Sequence, residues 1–313
     1  MNKILVTGAT GFIGKHLVQK LKSQKHNVAC LVRKRSSSKD IDFLKKLGVE
    51  IIYGDLTEPE SLIDITKNKD IIIHLAGKLL DNSFNTTAYY KLNVEGTKNL
   101  INISKKSRVK KFVFLSTAGV YGPIENASEK TPFNLTNIYA KTKADAEEVV
   151  KSSGLDYVIL RPGIVYGPYD KRFMKIFKIA KVGVFPLIDN GKTNIQPIYV
   201  KDLVKIIAEL SIGNIKNEDL IIAGERAMTL RTFIKKINKK VIFIPFSSKL
   251  FGLITDITDF LEKKLQKHFF INTNRLRFLT ETRTFNISKL KKILNPMFTS
   301  IEKAILETKK SLK

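Results

Sequence analysis

Tyr139 and Lys143 stand four residues apart in Tyr139-Ala-Lys-Thr-Lys143, a spacing that puts both side chains on one face of a helix. An ammonium beside a phenol favours the phenolate and makes it a usable acid or base. An unperturbed phenol titrates near 10, so bringing it to about 7 takes about 4 kcal/mol. One unit charge at about 4 Å in an effective dielectric of about 20 supplies that much. Two other elements belong with the pair: Leu115-Ser-Thr-Ala-Gly-Val-Tyr-Gly122, which brings hydroxyls, and Thr7-Gly-Ala-Thr-Gly-Phe-Ile-Gly14, which brings glycines. Together they describe a redox site.

The elements that must position these residues alternate. Lys3 to Thr7 reads as a buried strand, Phe12 to Ser23 as a helix and Asn27 to Val32 as a second strand. Further strands are expected at Val49 to Tyr53, Asp70 to Leu75, Lys111 to Ser116 and Tyr157 to Leu160. Helices are expected around Glu58 to Lys67, over Asn93 to Ser107, and around Tyr139 and Lys143. This alternation predicts an α/β fold, a Rossmann-type doubly wound parallel sheet with ligands at the carboxyl ends of its strands. Arg161-Pro-Gly163 turns the chain away from the sheet, and a smaller C-terminal α+β lobe follows. The first domain is placed at 1–168 and the second lobe mainly at 169–313, with segments about 195–223 free to return to the sheet. In that lobe Phe173 to Val182 and Asp202 to Leu210 read as helices, and Leu220 to Ala223 and Val241 to Ile244 as short strands. Lys249 to Lys264 reads as a longer amphipathic helix with a lysine-rich outer face.

A chain of 313 residues with 43% hydrophobic content can bury a sizeable core. Its single cysteine, Cys30, rules out an internal disulfide framework and reads as a buried strand residue. Its four histidines, His16, His26, His74 and His268, have no ligand spacing, so no metal is expected. The net charge of +26 invites a nucleic-acid or anionic-membrane reading. The basic residues are spread along the whole length, however, and a solvated surface that draws phosphate-bearing small molecules accounts for them. No nucleic-acid partner is expected. No run reaches the 18 or so apolar residues of a membrane span, and Ile4-Leu-Val6 ends short of signal-peptide length. A cytoplasmic protein is predicted, with peripheral membrane contact left open.

Gly8, Gly11 and Gly14 lie between strand and helix, where a missing side chain lets backbone approach a pyrophosphate at the helix N-terminus. The second strand ends in Leu31-Val-Arg-Lys-Arg35. An acidic residue there would bind ribose hydroxyls; Arg33 instead suits a 2′-phosphate and favours NADP, with plain surface charge as the competing reading. Asp55 can accept from the adenine amino group or cap a helix before Glu58. His74-Leu-Ala-Gly77 ends a strand with small residues under the cofactor, and His74 itself reads as a packed strand histidine.

These elements, with Asn93-Val-Glu-Gly-Thr97, Arg161-Pro-Gly-Ile-Val-Tyr-Gly-Pro168, Tyr199-Val-Lys-Asp-Leu203 and Phe285-Asn-Ile-Ser-Lys-Leu290, run in order over most of the chain. The set resembles the extended short-chain dehydrogenases/reductases, and more narrowly the NAD(P)-dependent epimerase/dehydratase group. The resemblance implies that residues 1–168 bind NAD(P). Gly8, Thr10, Gly11, Phe12, Ile13, Gly14, Arg33, Asp55, Leu56, Leu75, Ala76, Gly77, Asn93, Pro162 and Gly163, along with Tyr139 and Lys143, would then contact the cofactor. It further implies that Tyr139 is the general acid/base, that Lys143 binds the nicotinamide ribose and lowers the tyrosine pKa, and that Thr117 holds the substrate oxygen. A homodimer through the helices near Asn93 and Tyr139 is suggested on the same ground.

Nucleotide-sugar enzymes of this group usually carry an arginine shortly before the Tyr-Val-x-Asp element. Ile195 stands there in Asn194-Ile-Gln-Pro-Ile198. Three readings follow. The first is an oxidoreductase or epimerase acting at a secondary alcohol or ketone carbon, with a sugar derivative among its substrates. The second is a reductase of apolar ketones similar to dihydroflavonol reductases and hydroxysteroid dehydrogenases. The third is an NADP-holding accessory subunit similar to one associated with respiratory complex I. Lys78, Arg172, Lys192 and Arg231 either contact substrate phosphate or face solvent.

Overall fold

The computed structural model describes residues 1–80, 85–170, 173–249 and 280–312, with Gly252, Thr255, Ile257 and Thr258 between the last two stretches. Its first half runs β1 (Lys3–Thr7), α1 (Phe12–Ser23), β2 (Asn27–Val32), α2 (Ser38–Lys46), β3 (Glu50–Tyr53), β4 (Ile71–His74), α3 (Thr86–Tyr90), α4 (Gly96–Lys106), β5 (Lys111–Leu115), β6 (Ile124–Ala127), α5 (Ile138–Lys151) and β7 (Tyr157–Pro162). The second half runs β8 (Val165–Tyr166), α6 (Phe173–Val182), β9 (Val184–Ile188), β10 (Asn194–Ile195), β11 (Ile198–Tyr199), α7 (Val200–Ile212), β12 (Glu218–Ile222), β13 (Met228–Thr229), α8 (Leu230–Ile237), β14 (Ile242–Phe246), β15 (Arg283–Phe285), α9 (Ser288–Leu294) and α10 (Ile301–Lys310).

Strands that read as unbroken apolar runs must be covered on both faces, and a seven-stranded parallel sheet in the order β12-β7-β5-β4-β1-β2-β3 does this. Ile4, Val6, Cys30, Ile73, Val113 and Leu160 point to one side and meet α1, α2 and α7. Leu5, Ala29, Ile72, Phe112, Phe114 and Ile159 point to the other and meet α4 and α5. The order reverses between β1 and β4, and Thr7 pairs there with both Leu31 and His74. That reversal opens the crevice in which such sheets bind ligands.

The sheet takes its last strand from the second half: β12 pairs with β7 from Glu218↔Val158 to Ile222↔Pro162. A second, four-stranded sheet, β13-β10-β15-β6, ties β6 to residues near the C-terminus. Β-strands 9 and 14 form a separate parallel pair. Arg161 and Pro162 remain within β7, so the chain leaves the sheet only at Gly163.

One expected helix is absent. Residues 58–67 hold a single 3₁₀ turn, Pro59–Leu62, because Asp64 takes a left-handed conformation (φ 62°) that no helix continues through. The Asn93 helix, in contrast, begins earlier. Α-helix 3 runs into a π-helical turn at Lys91–Glu95 before α4, and Asn93 lies inside that turn. The helix expected from Lys249 to Lys264 lies largely outside the described residues. No helix among the described residues is long and apolar enough to cross a membrane.

Candidate active site

A cavity of about 2110 Å³ opens at the carboxyl ends of β1, β2, β4, β5 and β7. Pockets for drug-sized ligands rarely exceed about 1,000 Å³, so this one has room for a dinucleotide and a second molecule. Every residue placed in the site from sequence lines it except Asn93.

The glycines divide the work at its floor. A Cβ on Gly8, which has φ +69°, would come within 2.7 Å of Ala76 N, and one on Gly14 would overlap Gly8 O at 2.2 Å. These two residues let the loop close on β4 and on α1. Gly11 N-caps α1 with no side-chain hydrogen bond, and the first turn holds no acidic residue. An uncapped helix N-terminus facing a cavity fits a pyrophosphate. Thr10, Phe12 and Ile13 complete this wall.

Beyond β2, Arg33 faces the cavity, whereas Arg35 turns to Asp55 at 3.1 Å. Asp55 does not cap a helix; its Oδ1 accepts from the amide and hydroxyl of Thr57 at 3.0 and 2.9 Å. Burial raises its pKa, but those bonds, with Arg35 and Arg33, outweigh that and hold the carboxyl below its usual value. Leu56 follows it into the wall. Lys15, His16, Asp40 and Phe43 are among the lining residues that were not foreseen. Lys15 pairs with Asp40, and His16 reaches Pro168 O at 3.1 Å. Burial lowers the His16 pKa.

Behind Leu75, Ala76 and Gly77 lies fully buried His74, held between the hydroxyls of Thr7 (2.6 Å) and Thr97 (3.0 Å). Burial, helped by the Lys143 charge, drives its pKa down to about 3. Asn93 stands one layer behind the wall. Its Oδ1 accepts from Lys78 N at 2.7 Å and its Nδ2 donates to Thr142 Oγ1 at 3.0 Å. It therefore holds the loop at Gly77 and Lys78 rather than facing the cavity.

On the opposite wall, Thr117 leaves β5 and its Oγ1 accepts from Gly119 N at 3.0 Å. That bond does not use the hydroxyl hydrogen. Α-helix 5 is capped by Asn137, whose side chain accepts from Ala140 N at 2.9 Å, and it sends Tyr139 and Lys143 into the same cavity. Lys143 is only 3% exposed and its Nζ lies 3.9 Å from the Phe114 ring centroid. Burial brings its pKa down to about 7, against an upward pull from Glu147 one turn further on.

Glu147 was not foreseen from sequence. It is fully buried and receives Arg161 Nε and Nη2 (2.6 Å to Oε2) together with the Ser116 hydroxyl. Arg161 also donates to Tyr121 OH at 2.7 Å and pairs with Asp219 of β12 at 2.7 Å. This network braces α5 against β5, β7 and β12 directly behind the lysine.

Past Pro162 and Gly163 the cavity wall becomes apolar, with Ile164, Phe173, Ile176, Phe185, Ile188 and Phe285 among its members. Among the described residues the cations there are Lys175 and Arg283, and Arg283 pairs with Glu281. Ile195 is fully buried in β10 and is not part of the wall. Of the four basic residues considered for phosphate contact, Lys78 lies over the Tyr89 ring at 4.9 Å and Arg231 over Phe243 at 4.6 Å. Lys192 is exposed, and Arg172 lies outside the described residues.

Comparison with known proteins agrees with this geometry. The model of the NAD dependent epimerase/dehydratase family matches residues 4–217. A sterol-4-alpha-carboxylate 3-dehydrogenase (decarboxylating) of Candida albicans is 29% identical, over 94% of this chain and 92% of its own. A dTDP-D-glucose 4,6-dehydratase of Dictyostelium discoideum is 31% identical over 69% of this chain and 58% of its own. Among solved structures, a dTDP-glucose 4,6-dehydratase of Bacillus anthracis in complex with NAD superposes with a TM-score of 0.76 at 20% identity, covering 99% of this chain and 96% of that one. With relatives of this kind, the reading as a non-catalytic accessory subunit gives way, and the chain belongs to the NAD-dependent epimerase/dehydratase family as an NAD(P)-dependent enzyme.

Proposed function

We propose that the protein transfers a hydride at a secondary alcohol or ketone carbon of an apolar substrate, with Tyr139 as general acid/base. The observation that carries this is the convergence of Thr117, Tyr139 and Lys143 on one cavity whose floor is the glycine cradle and whose far wall is apolar. A bound nicotinamide supplies the hydride acceptor or donor. In the oxidising direction Tyr139 takes the hydroxyl proton as hydride leaves the same carbon, and Thr117 donates a hydrogen bond to that oxygen. In the reducing direction the phenol returns the proton. Lys143 holds the cofactor's ribose and keeps positive charge near the phenol.

The apolar wall and the burial of Ile195 favour a hydroxysteroid-like alcohol or ketone over a nucleotide sugar, whose diphosphate needs cationic partners. NADP is favoured over NAD because Arg33 faces the cavity, while the nearby carboxylate of Asp40 is engaged by Lys15.

The test is turnover of a panel of hydroxysteroids, sterol carboxylates and nucleotide sugars with both cofactors. Tyr139→Phe should abolish turnover and leave cofactor affinity within about twofold, since the phenol contributes mainly to the chemical step. Undiminished turnover in that variant removes Tyr139 from the chemistry.

A further inference from the structure

The pair β9–β14 presents an apolar face to solvent. Its register sets Ile242 beside Val184 and Ile244 beside Pro186. Side chains alternate along a strand, so Ile242, Ile244 and Phe246 share one side. These three are 66%, 45% and 37% exposed, and Val184 is 40% exposed. Val182, just before β9, is 81% exposed, and Ile242 N bonds to Gly183 O at 2.8 Å, which brings the two strand starts together. Scattered apolar residues on a surface need no explanation, but a contiguous row does.

The charge around this face is one-sided. Residues 173–192 and 231–249, which build this corner, contain ten lysines and arginines and one acidic residue, Asp189. The whole chain has 55 basic and 29 acidic residues, so these two segments are poor in acidic residues, and Glu302 from outside them pairs with one of the ten, Lys236, at 2.6 Å. Asp189 is exposed and accepts from Ser248 N at 3.0 Å. Lys181 adjoins Val182, Lys239 and Lys240 precede β14, and Lys249 follows it, all exposed. A second copy of the chain would bring like charges together at this corner. An anionic bilayer offers both complements, acyl chains for the apolar row and headgroups for the lysines.

We propose that the β9–β14 face docks on an anionic lipid surface and sets the substrate cavity against it. Pro186 and Phe246 belong to the exposed strand pair and also to the cavity wall. An apolar substrate could thus pass from lipid to the site without crossing water. The docking itself stands apart from the catalytic reading, and Tyr139→Phe protein should bind vesicles as the parent does.

The experiment is co-sedimentation of the full chain with phosphatidylcholine vesicles, with and without about 30 mol% phosphatidylglycerol, at low and high salt. The expected result is about tenfold greater partitioning onto the anionic vesicles, reversed by high salt. Ile242→Ser/Ile244→Ser and Lys239→Glu/Lys240→Glu should each cut that binding about tenfold, with unfolding temperature and turnover of a water-soluble substrate unchanged. Equal partitioning onto both vesicle types overturns the proposal, as does binding that neither double variant weakens. Concentration-dependent self-association in sedimentation velocity, lost in Ile242→Ser/Ile244→Ser, assigns the face to a second copy and also overturns it.

Discussion

Thr7 Oγ1 lies 2.6 Å from Nδ1 of His74, and the groups on either side leave one arrangement of protons. Ala76 N–H donates to Thr7 Oγ1 at 3.2 Å, which leaves the Thr7 hydroxyl hydrogen available to Nδ1. On the far side the Thr97 hydroxyl is committed to the Asn93 carbonyl at 2.6 Å, so Nε2–H donates to Thr97 Oγ1. Burial keeps the imidazole neutral, so it accepts from the Thr7 hydroxyl at Nδ1 and is fixed in one tautomer. It ties the cofactor loop after β1 to the helical turn that carries Asn93.

This tie should make the fold sensitive to acid. In the unfolded chain His74 takes up a proton below about 6.5, whereas in the folded protein it resists protonation until about 3. Its contribution to stability is present above 6.5 and is lost as pH falls toward 3, by up to about 5 kcal/mol. His16 shifts in the same direction, so the comparison must be with a variant. His74→Leu should unfold more easily at pH 7, because two hydroxyls lose their partner at about 1–3 kcal/mol each. It should also show a shallower decline of the urea midpoint between pH 6.5 and 4. Parallel declines would mean that His74 plays no part.

Lys143 acts with the same sign in a higher pH window. Its folded pKa of about 7 lies below the usual value, so the unfolded chain binds the extra proton and this residue's contribution improves as pH rises from about 7 to 10.5. At pH 7 a buried ammonium is a burden on the fold. Lys143→Met should raise the unfolding temperature by a few degrees, at about 2–4 °C per kcal/mol, while turnover disappears. A lower Tm in that variant would show that the cation over Phe114 stabilises the apo fold.

Thr117 accepts from Gly119 N–H, and its own hydrogen remains to be donated. Thr117→Val should lower kcat by about 10²–10³-fold, the usual effect of losing one donor to a developing oxyanion. Thr117→Ser should retain most activity, and cofactor affinity should not move in either. A Val variant with wild-type kcat would release Thr117 from the reaction.

Arg33 offers the sharpest test of cofactor choice. Arg33→Ala should weaken NADPH binding about tenfold, or about 1.4 kcal/mol, and leave NADH binding unchanged. Isothermal titration with both cofactors measures this. An equal loss for both would assign Arg33 to general attraction of phosphate.

Much of the frame was legible because apolar runs and glycines mark it. The bounds of β1, α1, β2 and α6 match those expected from sequence. Α-helix 2 was not expected, although Ser37 precedes its first residue and Asp40 lies in its first turn, a common helix-start pattern. Other features leave no trace in periodicity. The π-helical turn that swings Asn93 under Gly77 adds one residue to a turn without altering composition. Glu147 and Arg161 are fourteen positions apart, and Glu147 beside Glu148 reads as one more charge on a helix surface. Only the packing of α5 on β7 reveals the pair. The apolar wall was equally hidden, because Phe173, Phe185 and Phe285 come together from three separate elements.

The late arrival of β12 has a consequence for how the chain matures on the ribosome. Domains emerge N-terminal end first, yet β7 has an open edge until Glu218–Ile222 have been made, and Arg161 waits for Asp219. Β-strand 6 waits longer still, for β15. An unpaired edge is a template for aggregation, so a nascent chain stalled near residue 168 would need a chaperone's protection until synthesis resumes.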